Sequence, residues 1–299
     1  MQKITPNLWF NDNARQAVEF YTSVFPSSKI TGGDKYPSSP EEGLADFQKD
    51  FAGKDLTVSF NLSGLDFVAI NAGPEFKPSV ANSFLVNFDP SVDEKAATTI
   101  RQVWDRLIDG GQALIEIGEH PFSKCYGWVK DKYGFSWQLM LTDPAGESRP
   151  FMIPDLLFGA DAQNKAEEAM NYYASVFDDS KANVIARYQQ DDGPVVAGAV
   201  MFGEFQLAGQ WFAAMDSAVE QPETFTEAVS YQISCKDQAE IDYFWEKLSA
   251  VSASEQCGWA KDKFGLSWQI VPENMAELMQ KPDAFKTLMS QHKIIISEY

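Results

Sequence analysis

Two stretches of this chain are nearly the same. GWVKDKYGFSWQL at residues 127–139 returns as GWAKDKFGLSWQI at 258–270, and the two differ only at four apolar pairs: Val129/Ala260, Tyr133/Phe264, Phe135/Leu266 and Leu139/Ile270. Upstream, PNLWF (6–10) returns as PDLLF (154–158), FYTSVF (20–25) as YYASVF (172–177), and FVAIN (67–71) as FAAMD (212–216). Four matches in the same order mark a duplication, so any fold open to one half must be open to the other. The turn-rich TDPAGESRP at 142–150 reads as the linker. It separates a first domain, residues 1–145, from a second, residues 150–299, with a helical tail.

Each half carries the same coarse layout. A short strand over residues 7–10 leads into a helix near Asn13, where Ala14, Ala17, Val18, Tyr21, Val24 and Phe25 fall on one face. Ala166, Ala169, Met170, Tyr173, Val176 and Phe177 repeat that stripe. Strands follow, among them 56–62 and 67–71. The plan then restarts with a strand at 83–88, a helix carrying Ile100, Val103, Trp104 and Leu107, and strands ending at 136–141. Ile241, Phe244, Trp245 and Leu248 mark the second copy of that helix. The chain therefore holds four strand-helix-strands units.

Alternation sorts the strand side chains onto two faces. Val58, Phe60 and Leu62 oppose Thr57, Ser59 and Asn61; Phe84, Val86 and Phe88 oppose Ser83, Leu85 and Asn87; Trp137 and Leu139 oppose Gln138 and Met140. The apolar face must meet the helices. The other face mixes polar groups with Trp9, Leu85 and Met140, a combination suited to the lining of a ligand cavity. At this face the halves differ: Asn7 and Trp9 stand against Asp155 and Leu157, and Asn71 against Asp216. The second cup is expected to be more acidic and the first to favour flat aromatic compounds through Trp9.

Composition narrows the function classes. With 43 acidic and 24 basic side chains the net charge is −19, which repels nucleic acid and anionic membrane surfaces. No apolar run approaches the roughly 20 residues of a membrane span, and MQKITPNLWF lacks a signal-peptide core. A cytoplasmic protein is the expectation. Three cysteines are too few and too odd a count for a disulfide framework, and His120 and His292, the two histidines, have no repeat counterparts. There is no zinc-type cysteine spacing, no GxSxG elbow, no phosphate loop and no dinucleotide fingerprint. Asp131 and Asp262, in the repeated KDK-aromatic-G, read as turn residues. Gln138 and Gln269 in the last strand point to the cavity side.

PNLWF, AVEFYTSVF and the repeated GWxKDK[YF]GxSWQ resemble the PhnB-like, 3-demethylubiquinone-9 3-methyltransferase-like branch of the vicinal-oxygen-chelate (glyoxalase/bleomycin-resistance) superfamily. PENMAELMQKPDAFKTLM (272–289) resembles that branch's C-terminal helix. The resemblance spans nearly the whole chain. It implies an α+β fold of tandem domains, each two βαβββ units forming an open mixed sheet cup with helices on its outer face. It also implies where metal ligands stand in metal-dependent relatives: Thr5 and Ile153; residues 69–71 and 214–216; Ser83 and Ser230; Gln138 and Gln269. Only the last pair is a ligand type, apart from Asp216, and one neutral amide cannot hold a divalent first-row ion. The expectation is therefore no metal and no cofactor. A glycine-rich methyl-donor turn is not seen either.

The leading expectation is a metal-free protein that binds or sequesters a small molecule, with Trp9, Asn71, Ser83, Gln138, Asp216, Ser230 and Gln269 as ligand-binding candidates. An enzyme, by methyl transfer or metal chemistry, and a scaffold without a ligand stand as alternatives. The expected partner is a small molecule, not nucleic acid or membrane, and self-association into a homo-oligomer stays open. Gln138→Ala is expected to cost no more than about 1 kcal/mol, and Trp137→Ala roughly 3–5 kcal/mol.

Overall fold

The structure, a computed structural model, describes residues 2–44 and 46–299. The first unit runs β1 (Ile4–Phe10), α1 (Ala14–Val24), β2 (Lys29–Gly32), β3 (Thr57–Leu62) and β4 (Leu65–Asn71). The second is β5 (Asn82–Phe88), α2 (Ala96–Ile108), β6 (Gln112–His120), β7 (Ser123–Lys130) and β8 (Ser136–Leu141). The third is β9 (Met152–Phe158), α3 (Ala166–Val176), β10 (Lys181–Arg187), β11 (Val200–Leu207) and β12 (Gln210–Asp216). The fourth is β13 (Val229–Cys235), α4 (Gln238–Leu248), β14 (Trp259–Lys261) and β15 (Ser267–Pro272), followed by α5 (Met275–Leu278) and α6 (Ala284–Ser290).

Helical stripes and strand alternation fall where periodicity places them. Ala14, Ala17, Val18 and Tyr21 are buried on α1, and Val58, Phe60 and Leu62 are buried on β3 beside half-buried Thr57, Ser59 and Asn61. The tail is not one helix. Lys281, Pro282 and Asp283 interrupt it, because a proline cannot continue a helix and Asp283 adopts φ 59°. The fourth unit is also one strand short. Residues 249–258 connect α4 to β14, where the second unit has 109–127 to build β6 and most of β7. The exposed edge is covered by the tail instead: Cys257 N donates to Gln291 O (2.8 Å) and Gly258 N to His292 O (2.7 Å).

The two sheets join units from different halves. One has the order β14-β15-β13-β1-β4-β3-β2, the other β10-β11-β12-β9-β5-β8-β7-β6. At the seams β1 lies antiparallel to β13, with Asn7 opposite Ser230, and β5 antiparallel to β9, with Ser83 opposite Asp155. The α+β class and its βαβββ units are as expected. The expectation that each half closes its own cup is corrected: each cup takes one unit from each half. Hydrophobic pattern is the same for either pairing, because the first strands of all four units are alike.

Units of the same half pack back to back through their outer faces. Phe67 on one sheet meets Phe84 on the other (ring centroids 5.0 Å), and Phe25 meets Trp137 (4.9 Å). One apolar core thus runs through both halves. The repeated aspartates pin it. Asp131 accepts hydrogen bonds from the backbone N–H of Tyr133 and Phe135, from Trp137 Nε1 (2.8 Å) and from Tyr21 OH (2.8 Å) on α1. Asp262 repeats the arrangement with Phe264, Leu266, Trp268 and Tyr173. The turn role read from the KDK motif is there, together with a tie from turn to helix. With the outer faces spent on this core, the inner faces are left to form two cups.

Candidate functional site

The cup of the eight-stranded sheet is centred on its seam. Alternation brings Asp155 of β9, Ser83 of β5 and Gln138 of β8 to the same face, and all three are fully buried. Gln138 Nε2 donates to Ser83 Oγ (2.9 Å) and to Asp155 Oδ2, and Ser83 Oγ donates to Asp155 Oδ2 (3.3 Å). Tyr126 OH from β7 donates to Gln138 Oε1 (2.5 Å). Asp155 Oδ1, equally buried, accepts no hydrogen bond of normal geometry. Burial pushes the Asp155 carboxyl up to about 7, against the opposing pull of Gln138, Ser83 and the Leu156 N–H. Around this centre lies an apolar cluster separate from the main core: buried Leu85, Ile153 and Ala213 with half-buried Met140, Phe202 and Trp211.

At one end Arg149 stacks over Trp211 (4.4 Å) while paired with Glu204 (2.9 Å). At the other, His120 and Phe122 pack on the Tyr126 ring (5.3 and 5.0 Å). His120 is half-buried in this aromatic group.

The cup of the seven-stranded sheet repeats the pattern with other residues. Asn7 replaces Asp155, Ser230 replaces Ser83 and Gln269 replaces Gln138; Gln269 Nε2 donates to Ser230 Oγ (2.9 Å). Asn7 Nδ2 donates to Thr5 O (2.9 Å), and its Oδ1, like that of Asp155, is buried without a partner. Trp9 packs edge-on against Phe76 (4.9 Å) and Trp259 (5.9 Å) and donates from Nε1 to Gly73 O (2.7 Å). Since Trp259 is three strands away from β1, that contact requires the sheet to curl strongly. Where the other cup has Tyr126, this one has Cys257, whose Sγ lies 3.8 Å from Met289 Sδ on α6. Burial pushes its thiol up, as expected for a packed thiol rather than a nucleophile.

Of the seven candidate residues, Ser83 and Gln138 meet in one cup, and Trp9, Ser230 and Gln269 lie in the other. Asn71 and Asp216 line neither. Each shares the outer face and ends its strand beside a helix. Asn71 Oδ1 accepts from Ala14 N (2.9 Å) and its Nδ2 donates to Asp55 O (2.9 Å). Asp216 accepts from Ala166 N (3.1 Å) and Val200 N (2.8 Å). They cap α1 and α3, whose own cap positions, Asn13 and Lys165, make no capping side-chain bond. The sequence reading did not identify Tyr126 as a cup residue. It placed Asp155 on the inner face but with the wrong partners; an aspartate inside an otherwise apolar strand, PDLLF, was the available signal.

The metal positions of metal-dependent relatives hold Thr5 or Ile153, a serine hydroxyl and a glutamine amide, with Asp216 turned away to its helix. Among the described residues no three of His, Cys, Asp or Glu come together as a metal site. One carboxylate with a neutral amide and a hydroxyl is a donor set that does not fit a divalent first-row ion.

A model of the family described as 3-demethylubiquinone-9 3-methyltransferase matches residues 2–140 and 150–271. The structure of the PhnB protein from Bacillus cereus is 34% identical over 47% of this chain and 100% of its own, with TM-score 0.39. Glyoxalase I from Zea mays matches 97% of this chain and 98% of its own at 10% identity and TM-score 0.50, a likeness of fold. No curated protein matches the chain.

Proposed function

Because this chain belongs to the 3-demethylubiquinone-9 3-methyltransferase family, with the glyoxalase-like fold, we propose that it is a small-molecule-binding protein whose two inter-half cups hold planar, partly apolar ligands without a metal. One observation carries this reading: on each inner face a Ser–Gln pair and an unpartnered buried acceptor sit beside half-buried aromatic side chains. Apolar walls with a few fixed polar groups are what small ligands need for affinity and orientation. Half-buried Trp128, Phe202 and Trp211 serve one cup; Trp9 and Trp259 serve the other. A neutral amide such as Gln138 both donates and accepts, so it can orient a ligand with no ion present.

The test is equilibrium dialysis of the full chain against a small-molecule extract, with retained compounds identified by mass spectrometry. Planar compounds should be enriched, and W211A and W9A should each lose a subset. Retention of nothing, or of the same compounds by both variants, would refute the binding role.

A further inference from the structure

Of the five buried side-chain oxygens without a partner among the described residues, two occupy equivalent places, one per cup, but they are chemically different. Asp155 Oδ1 belongs to a carboxyl group; Asn7 Oδ1 belongs to an amide. An acceptor buried without a donor costs about 1–3 kcal/mol, and the same cost recurs at the same position of a duplicated fold. That recurrence sets the pair apart from Asn87, Thr224 and Tyr299, whose buried oxygens also lack a partner. The carboxyl carries a further cost, since among the described residues no lysine, arginine or histidine pairs with it. Arg149 is taken by Glu204 and Glu147, and the contacts of Asp155 are an amide, a hydroxyl and a backbone N–H. A charge held in such a place is relieved by a cation brought from outside.

We propose that the cups are charge-selective: the Asp155 cup takes a planar ligand bearing a cationic hydrogen-bond donor, an amidinium or ammonium group, and the Asn7 cup takes a planar ligand bearing a neutral donor. This rests on the binding role above and specifies its ligand chemistry. The polar neighbours fit it. Around Asp155, Gln138 and Ser83 both occupy Oδ2, so no side-chain donor reaches Oδ1. Around Asn7, the amide nitrogen is held by Thr5 O, which leaves its oxygen as the acceptor. Trp128, Met140 and Trp211 on the Asp155 side are half-buried, so that face meets solvent there. Anions are disfavoured in both cups: one holds a carboxylate, and the other offers a bare carbonyl oxygen.

Benzamidine, benzamide and benzoate share one planar shape and differ in charge. Binding of each to the full-length chain is read by tryptophan fluorescence and calorimetry, for the wild type, D155N, N7L and N7D. Benzamidine should bind the wild type, and D155N should weaken it on the order of tenfold or more, the scale of a hydrogen bond to a charged group. Benzamide should be weakened by N7L, and N7D should add a second benzamidine site, which keeps the Asn7 assignment testable if N7L does not fold. Benzoate binding as tightly as benzamidine, or unchanged benzamidine affinity in D155N, overturns the charge assignment while leaving the binding role. Absence of binding by all three probes overturns the binding role and the charge assignment with it.

Discussion

Asp155 should leave a signature in stability as well as in binding. Its folded-state value, about 7, lies above the ordinary aspartate value of about 3.9. Between those values the folded state holds a proton that the unfolded chain has lost, so stability falls as pH rises through that window. Below about pH 4 the effect vanishes, and above about 7 it is complete, at a few kcal/mol. In urea denaturation the difference between Asp155→Asn and wild type should move in favour of the variant by that amount from pH 4 to pH 8. A difference that does not change with pH would mean that Asp155 stays ionised throughout. The buried aspartates 131 and 262 titrate in both proteins and cancel in the comparison.

Gln138 behaves differently from the expectation drawn from alternation alone. It was placed correctly on the cup face, but that face is buried at the seam, and Gln138 bonds three side chains. Gln138→Ala removes one donor from the buried Asp155 carboxyl and strands the Tyr126 hydroxyl, and should cost about 2–4 kcal/mol. Trp137→Ala should still cost roughly 3–5 kcal/mol. Thermal unfolding of the two variants should therefore show similar losses; a Gln138→Ala protein as stable as wild type would mean the polar cluster contributes nothing. What a sequence supplies at this scale is the side to which a residue points. How deep that side lies depends on which strand closes over it, and that is a long-range matter. Asn71 and Asp216 failed for a related reason, since a polar residue ending a strand is equally suited to a ligand and to the nearest helix terminus.

Among the elements, the C-terminal tail has the least expected role. Its backbone carbonyls at Gln291 and His292 complete the edge that the shortened fourth unit leaves open, and fully buried Ile294 packs on Gly258. Gly258 has φ 87°, and a Cβ there would lie 2.9 Å from Ile270 O, so the repeated GW motif needs glycine at this turn. At Gly127 the same letter answers a different demand: a Cβ would sit 2.7 Å from the Trp104 ring. Truncation after Ser290 should uncover the β14 edge and loosen α6 from Cys257. Labelling of Cys257 by a thiol reagent should then accelerate by an order of magnitude or more relative to Cys125 and Cys235, as local opening exposes it. Unchanged labelling would show that the tail does not hold this corner. Helices and strands could be read from the sequence because 3.6- and 2-residue periods are local; the substitution of a tail for a strand could not, because nothing near residue 258 encodes residue 291.

For the whole molecule, the cross-half seams decide which pieces can stand alone. A fragment of residues 1–145 has β1 and β5 with open edges that β13 and β9 cover in the full chain. Two such fragments can cover each other's edges, β1 against β5, through the same pairing geometry. Sedimentation should find the fragment as a dimer or larger species, with the monomer absent at micromolar concentration; a stable folded monomer would show that a half can close on itself. No helix among the described residues is long and apolar enough to cross a membrane.

The β1–β13 pairing also fixes an order of events in time. A ribosome emits β13 only after more than two hundred residues beyond β1, at about 5–20 residues per second. For at least the order of ten seconds β1 has a bare edge on one side. The middle seam, β5 with β9, closes much sooner. The Asp155 cup is therefore complete while the Asn7 cup is still half a sheet, and assembly proceeds from the β5–β9 seam to the β1–β13 seam. A strand whose partner is made this late needs protection for its edge until that partner arrives.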